Sequence, residues 1–192
     1  MKHHLELNFP FQIIKDDIVY PEYQNIWQFA VVDATNYLTP VALNFFKQLG
    51  IDDLYCEFIK GDPNQKCNIH VDGRIMDDGS VYVRSEWAIN IIWGSESSKM
   101  FWYRPHGKDL RRMMGDTGIT YPIYYPEEVD VIEEYTVTGK PLLCDISTPH
   151  NVINFDDKIR WCMSIRSKST KLQWADACKF FEQYSAEQQI TA

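Results

Sequence analysis

Two segments far apart in the chain carry side chains that could do chemistry together: Cys67-Asn-Ile-His70-Val-Asp72-Gly73 and Thr148-Pro-His150-Asn-Val-Ile-Asn154, the second followed by Arg160. Two histidines and one carboxylate form the ligand set of a mononuclear non-haem iron(II) site, which leaves coordination positions open for other ligands. A basic side chain shortly after the second histidine suits such a site, because it can hold an acidic co-substrate. Arg does this well: its planar fork binds a carboxylate through two bonds and stays charged when buried. Ten residues separate His150 from Arg160, enough for one strand, a turn at Asp156-Asp157-Lys158 and entry into the next strand.

The first fragment alone is weak. With five His and 27 acidic residues in 192, a His-x-Asp/Glu triplet arises by chance about once. The chain contains its own decoy, His4-Leu5-Glu6, near a terminus expected to be loosely ordered. His3 and His4 are accordingly read as tail, and His106 in Arg104-Pro105-His106-Gly107 as a loop residue. A zinc site through Cys67 and His70 is a competing reading. A strand would point those two side chains to opposite faces, which disfavours it.

The elements that must position these residues read as β. From Leu54 to Arg166, apolar runs at 54–60, 67–72, 81–93, 99–103, 133–138, 141–145, 150–154 and 160–166 are separated by turn material such as Gly61-Asp62-Pro63-Asn64 and Gly139-Lys140-Pro141. About eight short strands predict a mainly β domain, a double-stranded β-helix of the cupin or jelly-roll kind. Strand alternation would send His70 and Asp72 into the barrel together, with His150 at the start of a later strand. The same alternation groups Arg160, Cys162, Ser164 and Arg166 on one face, so Arg166 is a second candidate for the basic role.

Flanking helices complete the expected fold. Thr39-Pro40 is a helix start, followed by apolar Val41, Leu43, Phe45, Phe46 and Leu49 and a stop at Gly50. Residues 172–185 predict a closing helix with Trp174, Cys178 and Phe181 on one stripe. Residues 104–132 read as a long insertion, either a lid over a site or a plain surface loop, whose Tyr121, Tyr124 and Tyr125 either shape a pocket or cover the core. The whole chain, 1–192, reads as one domain.

Composition narrows the classes. A net charge of −8 and hydrophobic content of 45% describe an acidic globule, which argues against broad nucleic-acid binding, with a local basic patch at Lys108, Arg111 and Arg112 as the exception. No stretch approaches a membrane span, and the start lacks an apolar signal region. Five cysteines without CxxC spacing predict free thiols in a reducing, cytoplasmic compartment.

At four blocks in order the chain resembles the 2-oxoglutarate and Fe(II)-dependent dioxygenase superfamily: His70-Val71-Asp72-Gly73; Trp87-Ala88-Ile89-Asn90-Ile91; Trp102-Tyr103; and Pro149-His150 through Arg160 to Ser164-Ile165-Arg166. The second and third blocks look like those of small stand-alone members, aspartyl/asparaginyl hydroxylase-like or phytanoyl-type. The resemblance implies Fe(II) held by His70, Asp72 and His150, with 2-oxoglutarate and O2 as co-substrates. It implies that Arg160 pairs with the distal carboxylate of 2-oxoglutarate, with Asn90, Tyr103 and Ser164 as polar contacts. It also implies hydroxylation of a peptide side chain or small metabolite. One departure stands out: many members carry Arg-x-Ser where this chain has Arg160-Trp161-Cys162. The rival readings are a 2-oxoglutarate-independent cupin-type metalloenzyme, in which Arg160 is dispensable, and a non-catalytic β-sandwich binding module. A nucleic-acid demethylase on the same fold is disfavoured by the acidic charge.

Overall fold

A computed structural model describes residues 2–21, 29–78, 80–83, 85–107, 111–114 (backbone), 120–168 and 172–186. In chain order the strands are β1 (His4–Glu6), β2 (Phe29–Val32), β3 (Leu54–Gly61), β4 (Ile69–His70), β5 (Arg74–Ile75), β6 (Val81–Tyr82), β7 (Trp87–Trp93), β8 (Ser98–Pro105), β9 (Arg111–Met114), β10 (Thr120–Tyr124), β11 (Val129–Thr136), β12 (Leu142–Asp145), β13 (His150–Asn154) and β14 (Arg160–Ser167). Helices α1 (Ala34–Tyr37) and α2 (Pro40–Gln48) follow β2, and α3 (Trp174–Phe181) follows β14.

The strands form two six-stranded antiparallel sheets, ordered β1-β12-β7-β14-β3-β2 and β11-β8-β13-β4-β10-β9, with β5 and β6 as a separate hairpin. Successive strands of the core alternate between sheets: β3 in the first, β4 in the second, β7 in the first, β8 in the second, and the return half repeats this from β11 to β14. That interleaving is the double-stranded β-helix, and it puts β4 beside β13 and β7 beside β14.

Alternation along the first sheet separates two environments. Ile89, Met163, Ile165, Cys56 and Phe58 face outward, where α2 (Ala42, Phe46) and α3 (Trp174, Ala177, Phe181) cover them in one apolar cluster. Burying each of the larger side chains contributes about 1.5–3 kcal/mol. α2 begins as expected, with the Thr39 side chain accepting from the Ala42 amide at 3.2 Å and Pro40 in the first turn. The inward face carries Ala88, Leu142 and Cys144, which meet Met100 and Trp102 of the second sheet in a smaller cluster. The barrel interior is thus partly apolar and, elsewhere, open to polar groups.

Three expectations need correcting. The amino terminus is not a tail: β1 pairs with β12, His4 opposite Cys144. His4 stacks on Trp102 with centroids 5.5 Å apart, and His3 Nδ1 lies 2.9 Å from Asp145 Oδ2. The 104–132 insertion is not a plain loop: β10 pairs with β4, Ile123 opposite His70, and β9 extends that edge. The strand expected at 67–72 is only β4, two residues long, because the backbone turns after His70. The basic patch falls on Lys108, outside the described residues, and on Arg111 and Arg112, of which only the backbone is described. Among the described residues, no helix is long and apolar enough to cross a membrane.

Gly94 closes the turn between β7 and β8 at φ +86°, a conformation L-residues avoid, and a Cβ there would lie 2.5 Å from the Ile159 carbonyl oxygen. Gly94→Ala is expected to lower unfolding free energy by about 1–3 kcal/mol, measured by denaturant titration. The same change at Gly107, where a Cβ meets nothing within 4 Å, serves as the control.

Candidate metal centre

His70 ends β4 and His150 begins β13, and the two residues are register partners, so their rings lie side by side with centroids 4.7 Å apart. Asp72 does not arrive by strand alternation. It sits in the turn after β4, where its amide donates to the Ile146 carbonyl at 3.1 Å and Gly73 turns back to Val71 at 2.8 Å. One ligand atom from each of His70, Asp72 and His150 lies within 4.8 Å of the others, and the cluster could hold a metal ion.

The tautomers favour metal binding. Nδ1 of His70 lies 2.8 Å from the Asn68 carbonyl, and Nδ1 of His150 lies 2.9 Å from the Thr148 carbonyl. A carbonyl only accepts, so both Nδ1 atoms carry the proton and both Nε2 atoms are left with lone pairs. Those lone pairs point at the Asp72 carboxylate, with His70 Nε2 at 3.1 Å and His150 Nε2 at 3.8 Å from Oδ1. Three electron-rich atoms converging here, with His150 buried and His70 and Asp72 partly buried, favour a cation between them. A backbone bond fixing the far ring nitrogen is the usual support of a metal-ligating histidine.

Without a metal, the cation is a proton. Burial works to lower the His70 pKa, but the hydrogen bond and charge of Asp72 outweigh it and the net shift is upward. Burial dominates at His150, whose pKa falls from 6.5 to about 4. At Asp72 burial opposes ionisation, yet Arg166, His70 and His150 together hold the carboxyl well below the usual range. The balance favours an ionised Asp72 and a neutral His150, and of the two histidines His70 takes up a proton more readily.

Asp145 secures the turn that delivers His150. Its Oδ1 accepts from the Ser147 amide (2.9 Å), Ser147 Oγ (2.7 Å) and the Thr148 amide (3.2 Å), and its Oδ2 from Thr148 Oγ1 (2.7 Å). Sequence reasoning missed this residue, although Asp145-Ile-Ser147-Thr148 carries the side-chain-to-backbone signature of such a turn. It also missed Glu57 of β3, whose Oε2 lies 3.0 Å from Arg166 Nη2. A single carboxylate in the middle of an apolar run, Leu54 to Ile59, was the available signal.

The remaining candidate residues are distributed unevenly. Arg166 reaches Asp72 directly, Nη2 to Oδ2 at 2.7 Å, and its Nε donates to Ser164 Oγ at 3.0 Å. Arg160 is 5% exposed, close enough to Cys162 for hydrogen bonding, and its Nε has no partner. Among the described residues no carboxylate is paired with it; it is not a surface arginine bound to Asp156 or Asp157. Asn90 is opposite Ser164, with Nδ2 3.5 Å from Cys144 Sγ and Oδ1 buried without a partner. Tyr103 is a correction. Met100 and Trp102 take the inward positions of β8, so Tyr103 faces out with Phe101 against Ile69 and Val129, its hydroxyl donating to Asn151 Oδ1 at 2.9 Å. It cannot contact a ligand held among the interior groups. Of the insertion tyrosines, Tyr121 stands edge-on to His70 at 6.1 Å, whereas Tyr124 packs with the outer cluster of Tyr103 and Tyr125 is exposed.

The site is thus a jelly-roll interior with a candidate His-Asp-His metal centre at one end, an arrangement that metalloenzymes use. No family model matches the chain, and no curated protein matches it. Among solved structures it is similar to Peruvianin-I, a cysteine peptidase from Thevetia peruviana latex (12% identity, 88% of this chain and 91% of that one, TM-score 0.35). It is also similar to an oxalate oxidase (8% identity, 88% and 76%, TM-score 0.32) and to E. coli ycfD (12% identity, 90% and 42%, TM-score 0.28). Likenesses this distant carry no argument about activity, and the fold assignment rests on the strand order.

The two histidines make opposite contributions to the stability of the metal-free protein. A histidine whose pKa falls on folding stabilises above its unfolded value and loses that contribution as pH drops, so His150 costs about 3 kcal/mol between pH 6.5 and about 4. His70, raised on folding, stabilises below 6.5 and loses its contribution as pH rises through its folded value. The pair therefore favours folding most near pH 6.5. Denaturant titrations across pH in the presence of a chelator are expected to show the acid slope, and His150→Gln to flatten it.

Proposed function

We propose that the chain is an Fe(II)- and 2-oxoglutarate-dependent dioxygenase that hydroxylates a peptide side chain or a small metabolite. The observation that carries this reading is Arg160, a buried guanidinium in the barrel with no carboxylate partner among the described residues, on the strand that also supplies Arg166 to the metal centre. A buried charge without its counter-ion is costly, and an acidic co-substrate would relieve that cost. The unpartnered Asn90 Oδ1 and the Arg160 Nε are the polar atoms left to meet it.

His70, Asp72 and His150 would hold the iron, with the Nδ1 bonds to Asn68 and Thr148 keeping both Nε2 lone pairs aimed at it. Iron(II) with a chelating 2-oxo acid supplies O2 activation, in which the acid is decarboxylated to succinate, one oxygen atom enters succinate and the other becomes the product hydroxyl. The protein contributes position and dryness. His150, with its pKa lowered to about 4 by burial, is available as a ligand near neutral pH, whereas any proton held by His70 must leave when the metal enters. Tyr121, on β10 and edge-on to His70, would line the substrate side. We read the chain as a single cytoplasmic domain, in keeping with its five free cysteines. The net charge of −8 disfavours nucleic acid as substrate.

The test is anaerobic addition of Fe(II) and then 2-oxoglutarate to metal-free protein, followed by visible absorption. A charge-transfer band requiring both additions is expected, and His70→Ala, Asp72→Ala and His150→Ala should each abolish it. Arg160→Met should weaken 2-oxoglutarate binding by about thirtyfold or more, the cost of truncating one side of a buried charge pair. Iron uptake with no band, and no effect of Arg160→Met, would favour a metalloenzyme that works without 2-oxoglutarate. No iron uptake would leave a binding module.

A further inference from the structure

Asp72 offers two oxygens, and the structure treats them differently. Oδ1 faces both histidines, whereas Oδ2 is held at 2.7 Å by Arg166 Nη2. Arg166 is itself fixed by two further partners: Glu57 Oε2 at 3.0 Å from Nη2 and Ser164 Oγ at 3.0 Å from Nε. Its side chain is 11% exposed, and the three partners come from β3, β14 itself and the turn after β4. A guanidinium so constrained cannot swing away from Oδ2 without stranding two carboxylates.

We propose that Arg166 is a positioning residue that keeps Asp72 a one-oxygen ligand and so preserves an open coordination position. A free carboxylate beside a metal can chelate it through both oxygens. With two histidines and a single Asp72 oxygen, half of an octahedral sphere stays open; with both oxygens bound, one of those positions is lost. A ligand that chelates through two atoms, together with O2, needs the full open face. Arg suits the task because its planar fork divides its donors among separate acceptors while remaining charged. Glu57 balances the charge, since Asp72 alone would share one cation with the metal. This inference rests on the metal-centre reading above and concerns how that centre is kept open.

The readout is the number of waters on bound Mn(II), counted from the broadening of its paramagnetic resonance lines in oxygen-17 water. Arg166→Met is expected to carry one fewer coordinated water than the wild type. Arg166→Lys, which keeps a donor for Oδ2, should restore the wild-type count. Should Arg166→Met fail to fold, Arg166→Met with Glu57→Gln removes opposite charges together and replaces it. An unchanged count in the methionine variant, or the same loss in both methionine and lysine variants, overturns the proposal while leaving the metal centre standing. Failure of the wild type to take up Mn(II) at all would overturn both.

Discussion

The structure turns on one largely enclosed carboxylate. Asp72 sits between the sheets and must be neutralised from more than one side, because a carboxylate away from water is tolerated only when paired and hydrogen-bonded. Arg166 supplies a counter-charge from the first sheet, and the His70–His150 pair faces the carboxylate from β4 and β13. These contacts tie the two sheets together across the mouth of the barrel. They also leave the site short of one positive charge until a proton or a metal ion arrives, so the demand for a cation is built into the folding of the chain.

That arrangement is affordable because stability is drawn from elsewhere. The outer face of the first sheet, under α2 and α3, carries the large apolar cluster that includes Phe46, Phe58, Trp87, Met163 and Phe181. β14 shows the division residue by residue: Met163 and Ile165 face that cluster, while Cys162, Ser164 and Arg166 face the interior. Asp145 extends the division to the loops, spending its acceptors on the backbone of the turn before His150 and on His3, just ahead of the edge strand β1. The amino-terminal strand therefore supports the turn that presents a candidate ligand, through one shared carboxylate.

Much of this was legible in the sequence, and the failures have physical causes. The two segments with His70, Asp72 and His150 stood out because ligand residue types are sparse and their company is informative. The Thr39-Pro40 start of α2 and most of the core strands followed from local chemistry that reads within a few residues. What escaped depends on partners distant in the chain. β1 is only three residues long and is defined by pairing with β12, and β10 exists as a strand because β4 lies beside it, so neither has a periodic signal of its own. Tyr103 shows a different failure: its strand was expected, but a shift of one residue in a period of two reverses the face, and no local feature sets that parity. Asp72 met the histidines by a turn rather than by alternation, so its place in the cluster came about by a route other than the one its spacing suggested.

The two arginines of β14 clarify the charge balance of the interior. Arg166 is matched by Asp72 and Glu57, and burial near Asp72 raises the Glu57 carboxyl above its usual range despite the arginine beside it. Arg160, six residues earlier on the same inward face, has no carboxylate among the described residues. With a divalent metal at the His-Asp-His cluster, Asp72 would cancel part of the metal charge, while Glu57, to the extent it is ionised, and Arg166 would largely cancel one another. One positive charge would then remain near the metal and one at Arg160. Two separated positive charges in a low-dielectric interior favour a dianion that can span them over a neutral ligand or a monoanion. A dicarboxylic acid is such a ligand. On this reading the polarity of the barrel is selective as well as permissive: the same unmet charges that make the ligand-free interior costly are what would recognise the co-substrate.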